Sequence, residues 1–261
     1  MTMPSNFKII NTYECPKCGS SINVIKSTFK GKEITVDKCL ECENISLEKE
    51  CTSYYNEREA RKSEELFNKY SVVTSDIEAA TFSNYEPKND DQRKAKNGAI
   101  WYADNFNDLN KGFHSLLFQG SYGLGKSHLA KAICEAVKQK RVSAIFINVP
   151  ELLNIIKGTF NRNAKTSENE LLEALNKAKL LVLDDIGAEY VKSEGAESWA
   201  ADKLFQIANS RVNKPTIYTT NYNSADLTKK YGAHGGRIVS RMMQGTKVIK
   251  FSGDDHRMKG F

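Results

Sequence analysis

The sequence predicts an α/β protein, with a parallel sheet covered by helices on both faces, preceded by a small module organised on cysteines. Three observations predict it. In His114–Ser127, HSLLFQGSYGLGKS, an apolar run stops at Gly120; after four more residues come Gly125-Lys126-Ser127 and a helix-like segment. Downstream, short apolar runs alternate with amphipathic segments, the pattern of strands joined by helical crossovers. Upstream, Cys15-Pro16-Lys17-Cys18 and Cys39-Leu40-Glu41-Cys42 are separated by twenty residues.

The chain's 261 residues leave room for one α/β domain of ordinary size plus something small. With 40% hydrophobic and 27% charged residues the composition is that of a soluble globular protein. No apolar run approaches the ~20 residues that span a bilayer, and MTMPSNFKII is not a signal sequence. The expected location is the cytosol, with no membrane partner. Thiols stay reduced there, so the six cysteines are expected as metal ligands or buried thiols rather than disulfides. The net charge of +6 leans towards a polyanionic partner.

In chain order, the two cysteine pairs come first. Gly19 suits the turn that aims two thiolates at one ion, and Ser21–Lys26 and Glu33–Asp37 read as strands around a turn at Lys30-Gly31. Two knuckles on a hairpin make a zinc ribbon in which Cys15, Cys18, Cys39 and Cys42 form a closed tetrahedral site with no position left for catalysis. Zn²⁺ would supply much of the folding free energy of so small a module, ~10–16 kcal/mol in comparable peptides. Cys51 reads as a bystander. From Ser53, an available N-cap, to about Tyr70 the charged run YYNEREARKSEELFNKY reads as a helical connector. The expected division is a zinc ribbon at 1–52, a helical linker at 53–75 and the α/β domain at 76–261. Trp101, Tyr102 and Phe106 are expected on one helix face against the core.

In the glycine loop, Gly120, Ser121, Tyr122, Gly123, Leu124, Gly125, Lys126, Ser127 and His128 are the candidate nucleotide-binding residues. Glycines let backbone N–H groups curl around a polyphosphate, Lys126 reaches its β/γ-phosphates, and Ser127 offers a hydroxyl to Mg²⁺. Ser143–Val149 reads as a buried strand and Glu151–Ile156 as helix, and Ser167-x-x-Glu170 is a capping box. The apolar run Leu180–Leu183 ends in Asp184-Asp185: Asp184 is placed for the Mg²⁺ shell and Asp185 to orient or deprotonate the attacking water. A helix is expected from about Ala196 to Val212, then a strand at Thr216–Thr219 leading to Asn221, between the other two strand ends. A short helix after Ser224, the run GGRIVSRMMQG and a strand at Lys247–Phe251 complete the pattern.

Taken together, TFSNY, GSYGLGKSHLAKAI, LLVLDDIGAE, KPTIYTTN and GGRIVSRMMQG resemble the DnaC/DnaI helicase loaders, AAA+ P-loop ATPases close to the IstB transposition helpers. The resemblance covers roughly residues 80–251. It implies a core strand order of 5-1-4-3-2, Asn221 as the first sensor, and Arg237 and Arg241 on the helix that carries an arginine finger into a neighbouring subunit's ATP site, with Arg241 favoured. Only ten residues, SGDDHRMKGF, follow the last strand, too few for the helical lid of initiator-type ATPases and in keeping with loaders. Asp185 departs from the commoner Asp-Glu ending of the acidic strand.

Between two expected helices, Ile156–Lys165 combines three cations with Phe160, the composition of a single-strand-binding surface. Lys157, Phe160 and Arg162 are the candidate single-stranded DNA contacts, with Trp199 as a second stacking platform. The resemblance implies an ATP-dependent oligomer that delivers a hexameric replicative helicase of the DnaB family to single-stranded DNA, in a bacterial cell or encoded by a phage. It also implies that the zinc module docks the helicase. The competing readings are an IstB-like transposition helper acting on duplex DNA with a transposase, and an adaptor that binds ATP but scarcely hydrolyses it.

Overall fold

A computed structural model describes residues 7–29, 31–109, 112–161, 166–190 and 198–256. The chain divides into two units, 1–58 and 59–261.

In the first unit, β1 (Phe7–Glu14), β2 (Ser21–Phe29) and β3 (Lys32–Val36) form an antiparallel sheet in chain order. The hairpin β2–β3 is the expected one; β1 is an addition, joined through a bulge between Ile9 and Asn11. All of its residues are exposed, so no inward alternation marked it as a strand. Helix α1 runs from Leu40 to Tyr70, belonging to the first unit by its early turns and to the second by its last. The expected connector helix therefore begins thirteen residues earlier than Ser53, which sits inside it. Leu40–Thr52 contains neither Gly nor Pro, and Glu41 and Glu43 lie in the first turn, where the helix dipole favours acids. Ser53 is thus no cap.

The second unit is a five-stranded, all-parallel sheet. Its elements are α2 (Asp90–Asp104), β4 (Ser115–Gln119), α3 (Lys126–Gln139), β5 (Ala144–Asn148), α4 (Val149–Gly158), α5 (Glu168–Lys177), β6 (Leu180–Ile186), α6 (Trp199–Ser210), β7 (Thr216–Thr220), α7 (Ser224–Lys230), α8 (Gly235–Met243) and β8 (Thr246–Lys250). The strand order is β5-β6-β7-β4-β8 with every pair parallel. Counted from the phosphate-loop strand and read from β8, this is 5-1-4-3-2, as the resemblance implies.

The sheet alternates between two cores. Phe118, Phe146, Val182 and Ile217 face α2 and α3, with Tyr102, Leu129 and Ile133 packed on them. Leu117, Ile147, Leu183 and Tyr218 face α4–α8, against Leu152, Leu175, Leu204 and Ile238. Burial on both faces explains the near-continuous apolar runs of the strands. The capping box at α5 forms with both of its hydrogen bonds, Glu170 N–H to Ser167 Oγ (3.2 Å) and Ser167 N–H to Glu170 Oε2 (2.9 Å). Tyr102 and Phe106 are buried as expected, but Trp101 is 49% exposed, lying against Phe113 at 5.7 Å between ring centroids. Neighbouring helix residues differ by ~100° in direction, so Trp101 turns to solvent once Tyr102 points inward. No helix among the described residues is long and apolar enough to cross a membrane.

Candidate functional site

The site is built at the C-terminal ends of β4, β6 and β7, and the strand order decides who meets whom. β4 leads into the glycine loop and then α3. Gly125 precedes the helix with φ 81°, and a Cβ there would lie 2.5 Å from the Tyr85 ring, so only glycine closes this turn. The loop thus aims the N-terminal end of α3 into a cavity of about 460 Å³. Tyr122 to His128, Asp185 and Asn221 line that cavity. The predicted Gly120 and Ser121 are not among its lining residues; Lys126, itself 6% exposed, donates from Nζ to the Ser121 carbonyl (2.5 Å) and to Asn221 Oδ1 (2.8 Å).

Strand β7 lies between β4 and β6, so Asn221 at its end stands between the loop and the acids. Its Nδ2 donates to Asp185 Oδ1 at 3.0 Å, making a chain Lys126–Asn221–Asp185. Asp184 is buried behind Ser127, whose hydroxyl donates to its carboxylate. Burial pushes the Asp184 carboxyl up to about 6, opposed by hydrogen bonds from Thr219 and Ser127. Ser127 and Asp184, the two residues expected to share Mg²⁺, are therefore in contact. Two oxygens of a hard-ligand type beside a phosphate cradle fit Mg²⁺, which takes few protein ligands besides phosphates and water.

The cavity is also lined by Asn84 and Tyr85, which sequence reasoning noted within TFSNY without giving either a role in the site, and they meet the candidate His128 there. Tyr85 stacks edge-on against His128 at 5.3 Å and donates from its hydroxyl to the Leu124 carbonyl at 3.3 Å; burial pushes its phenol up to about 12. His128 Nε2 lies 2.9 Å from both the Thr81 carbonyl and Asn84 Oδ1. Both partners are acceptors, so Nε2 carries a proton and the ring pins the 81–84 loop to α3. TFSNY stands out in the sequence, but only the fold brings it against the glycine loop. Residues after β8 also reach this loop: His256 N–H donates to the Gly123 carbonyl at 3.2 Å, and the Asp255 carboxylate occupies the space a Cβ of Gly123 would need.

The sequence of residues 46–260 matches the family model described as IstB-like ATP binding protein. The chain belongs to the IstB-like ATP-binding family. It is 31% identical over 204 residues to the replicative helicase loader DnaC of Escherichia coli K12, spanning 78% of this chain and 79% of that protein. The fold is similar to a crystal structure of DnaI (TM-score 0.60, 26% identity, 75% of this chain and all of that one). It is also similar to a crystal structure of the DnaC helicase loader (TM-score 0.57, 28% identity, 69% of this chain and all of that one). The matched family is described as ATP binding, and the match spans the whole α/β core.

Outside the cavity, Arg237 and Arg241 are exposed on α8, while Ile238 and Met242 anchor the helix in the core. The Arg237 guanidinium lies 4.1 Å over the Phe205 ring. Lys157, Phe160 and Trp199 come together: the two rings meet edge-on at 6.2 Å and Lys157 Nζ lies 5.3 Å from the Trp199 ring. Phe160 is 62% exposed. Arg162 lies outside the described residues.

In the first unit the sulfurs of Cys15, Cys18, Cys39 and Cys42 all lie within 4.8 Å of one another, with Cys15–Cys42 at 3.7 Å and Cys18–Cys39 at 3.4 Å. A tetrahedral zinc with ~2.3 Å bonds sets sulfurs ~3.8 Å apart, so the cluster has the right size. The first pair sits in the β1–β2 turn and the second opens α1, where Glu43 N–H donates to the Cys39 carbonyl at 3.0 Å. The Ser20 hydroxyl lowers Cys18 to about 6, whereas hydrogen bonds to Cys18 and Cys15 push Cys42 up to about 12. Four thiolates this close ionise together only around a cation. Cys51 is exposed and outside the cluster.

Proposed function

We propose that this chain is an ATPase that loads a hexameric replicative helicase of the DnaB family onto single-stranded DNA. The match to the helicase loader DnaC across 78% of the chain carries this reading, and the linked Lys126–Asn221–Asp185 site supports an active rather than vestigial nucleotide centre. When bound, Mg²⁺ would neutralise charge on the β/γ-phosphates; Ser127 and Asp184 are the residues to hold it. Lys126, buried and preset by two hydrogen bonds, presents a point charge to the transferred phosphate with little reorganisation. Asp185 orients the attacking water, and Asn221 fixes that carboxylate while sensing the phosphate side through Lys126. Arg241 is the finger for a neighbouring subunit, since Arg237 is engaged on Phe205. The assembly is thus an ATP-dependent oligomer acting in the cytosol.

Lys157, Phe160 and Trp199 supply the single-strand contact: an exposed ring for stacking and a cation for the phosphates, each stack worth ~1–3 kcal/mol. The Cys₄ cluster holds structural Zn²⁺. On the sheet of the first unit, register aligns Phe7 with Ser27 and Ile34, and Ile9 with Ile25 and Val36, on one face. Phe7, Ile9, Ile34 and Val36 are each at least 44% exposed. An apolar face of this kind favours a protein partner over nucleic acid, so this unit docks the helicase.

Size exclusion with light scattering tests this. The full chain should co-elute with its cognate helicase with ATP present, and Cys15→Ser/Cys18→Ser or Ile34→Asp should abolish co-elution. No complex with either ATP or ADP would overturn the loader reading in favour of duplex DNA and a transposase.

A further inference from the structure

Thr219 sits in the middle of the site with no assigned part. It is 1% exposed on β7, and its hydroxyl serves both acids of the neighbouring strand. Oγ1 donates its one proton to Asp184 Oδ1 at 2.7 Å and accepts the Asp185 backbone N–H at 2.8 Å. The second bond explains a local irregularity. The ladder between β6 and β7 breaks between Leu183 and Ile186, and Asp185 adopts φ 62°, a left-handed conformation unusual for a residue other than glycine. At the break the Asp185 N–H is paired with the Thr219 side chain instead of a β7 carbonyl, and the turned backbone delivers its carboxylate to Asn221. Thr220, the next hydroxyl, makes a different bond, donating to the Ile186 carbonyl at 2.7 Å. The two hydroxyls, equally buried and adjacent, therefore separate a role at the acids from a role in holding the strands together.

We propose that Thr219 is the positioning residue of the metal–nucleotide site, its single hydroxyl setting the Asp184 carboxylate towards Mg²⁺ and the Asp185 backbone towards the water-orienting pose. This rests on the ATPase reading above and adds to it a residue that touches neither nucleotide nor metal. A hydroxyl is required because one group must both donate and accept; valine has the shape of threonine but does neither, and serine does both.

The test is equilibrium binding of a fluorescent ATP analogue to the full chain, titrated with Mg²⁺ and repeated in EDTA. In wild type, Mg²⁺ should tighten binding. In Thr219→Val the Mg²⁺ concentration needed should rise roughly 10–100-fold, the usual cost of removing a partner that orients a metal ligand. Its affinity in EDTA should stay that of wild type, and Thr219→Ser should restore the Mg²⁺ response. Thr220→Val should lose stability yet keep that response. If Thr219→Val does not fold, Thr219→Ala carries the same expectation. A normal Mg²⁺ response in folded Thr219→Val or Thr219→Ala, or a loss shared equally by Thr220→Val, would overturn the assignment. Absence of Mg²⁺-dependent binding in wild type would instead overturn the ATPase reading itself.

Discussion

Among the described residues Arg211 is the largest fully buried side chain, and it forms no ion pair with a carboxylate there. Its guanidinium donates to the carbonyls of Leu175 (3.2 Å), Asn176 (3.2 Å), Ala178 (2.6 Å) and Pro215 (2.5 Å), and its Nε to Thr216 Oγ1 (3.2 Å). Three of those carbonyls end α5, where the helix dipole is negative, so the dipole serves as counter-charge. Burial lowers the guanidinium to about 10, still cationic at neutral pH. Replacing it with methionine takes this donor from the Leu175 and Ala178 carbonyls and from Thr216 Oγ1 in a dry core, while the Asn176 carbonyl keeps Lys214 Nζ and the Pro215 carbonyl keeps the Leu181 N–H. Arg211→Met should cost about 3–5 kcal/mol in urea unfolding of the full chain, with Lys recovering only part. A loss below 1 kcal/mol would show that water reaches these carbonyls.

A second residue-scale expectation concerns pH. Burial and the charge of Arg211 lower the pKa of His114 from 6.5. The unfolded chain then takes up a proton below about pH 6.5 that the folded chain refuses, so this group stabilises the fold at neutral pH and the stabilisation is lost as pH falls through that value. Urea midpoints measured from pH 7.5 to 5.5 should decline less steeply in His114→Gln than in wild type.

At the scale of elements, α8 is held by more than its apolar face. His234 Nε2 lies 3.1 Å from Asp202 Oδ1 on α6, and Arg237 stacks on Phe205 of the same helix. Arg241, one turn on, is exposed with no ion pair among the described residues, as the proposed finger would have to be. Subunits carrying Lys126→Ala and subunits carrying Arg241→Ala should each be inactive, yet a mixture should recover ATPase activity, because mixed neighbours assemble one complete site. No recovery would place the finger elsewhere. The neighbouring aromatic pair gives another expectation. Phe160→Ala or Trp199→Ala should weaken single-stranded DNA binding roughly 5–150-fold, the equivalent of ~1–3 kcal/mol, with ATP affinity unchanged. Because the rings touch, the double variant should lose less than the sum.

For the whole molecule, the two units depend on different physics. The first has few buried apolar residues, Cys15, Ile22 and Val24 among them, while the second buries two extensive clusters on either side of its sheet. Stripping zinc with a chelator should therefore unfold the first unit and abolish helicase binding while ATP binding persists. Circular dichroism and nucleotide binding on the same sample would check it; loss of both activities together would mean that the units are not independent.

What the sequence by itself determined lies in contiguous chemistry. The glycine loop, the capping box, the apolar strand ending in Asp184-Asp185 and the paired C-x₂-C segments each carry their geometry within a few residues, because turns, caps and strand ends are local backbone events. The order of strands came from resemblance, and composition could not supply it. Tertiary structure alone decided the pairings across the sheet: Thr219 is 35 residues from Asp184 and Asn221 is 95 from Lys126, with nothing local to select them. It also decided exposure. Trp101 turned outward and Ser53 fell inside a helix, because the direction of a side chain and the start of a helix depend on what the rest of the chain packs against. Local sequence chooses the chemical groups, and long-range packing chooses which of them meet.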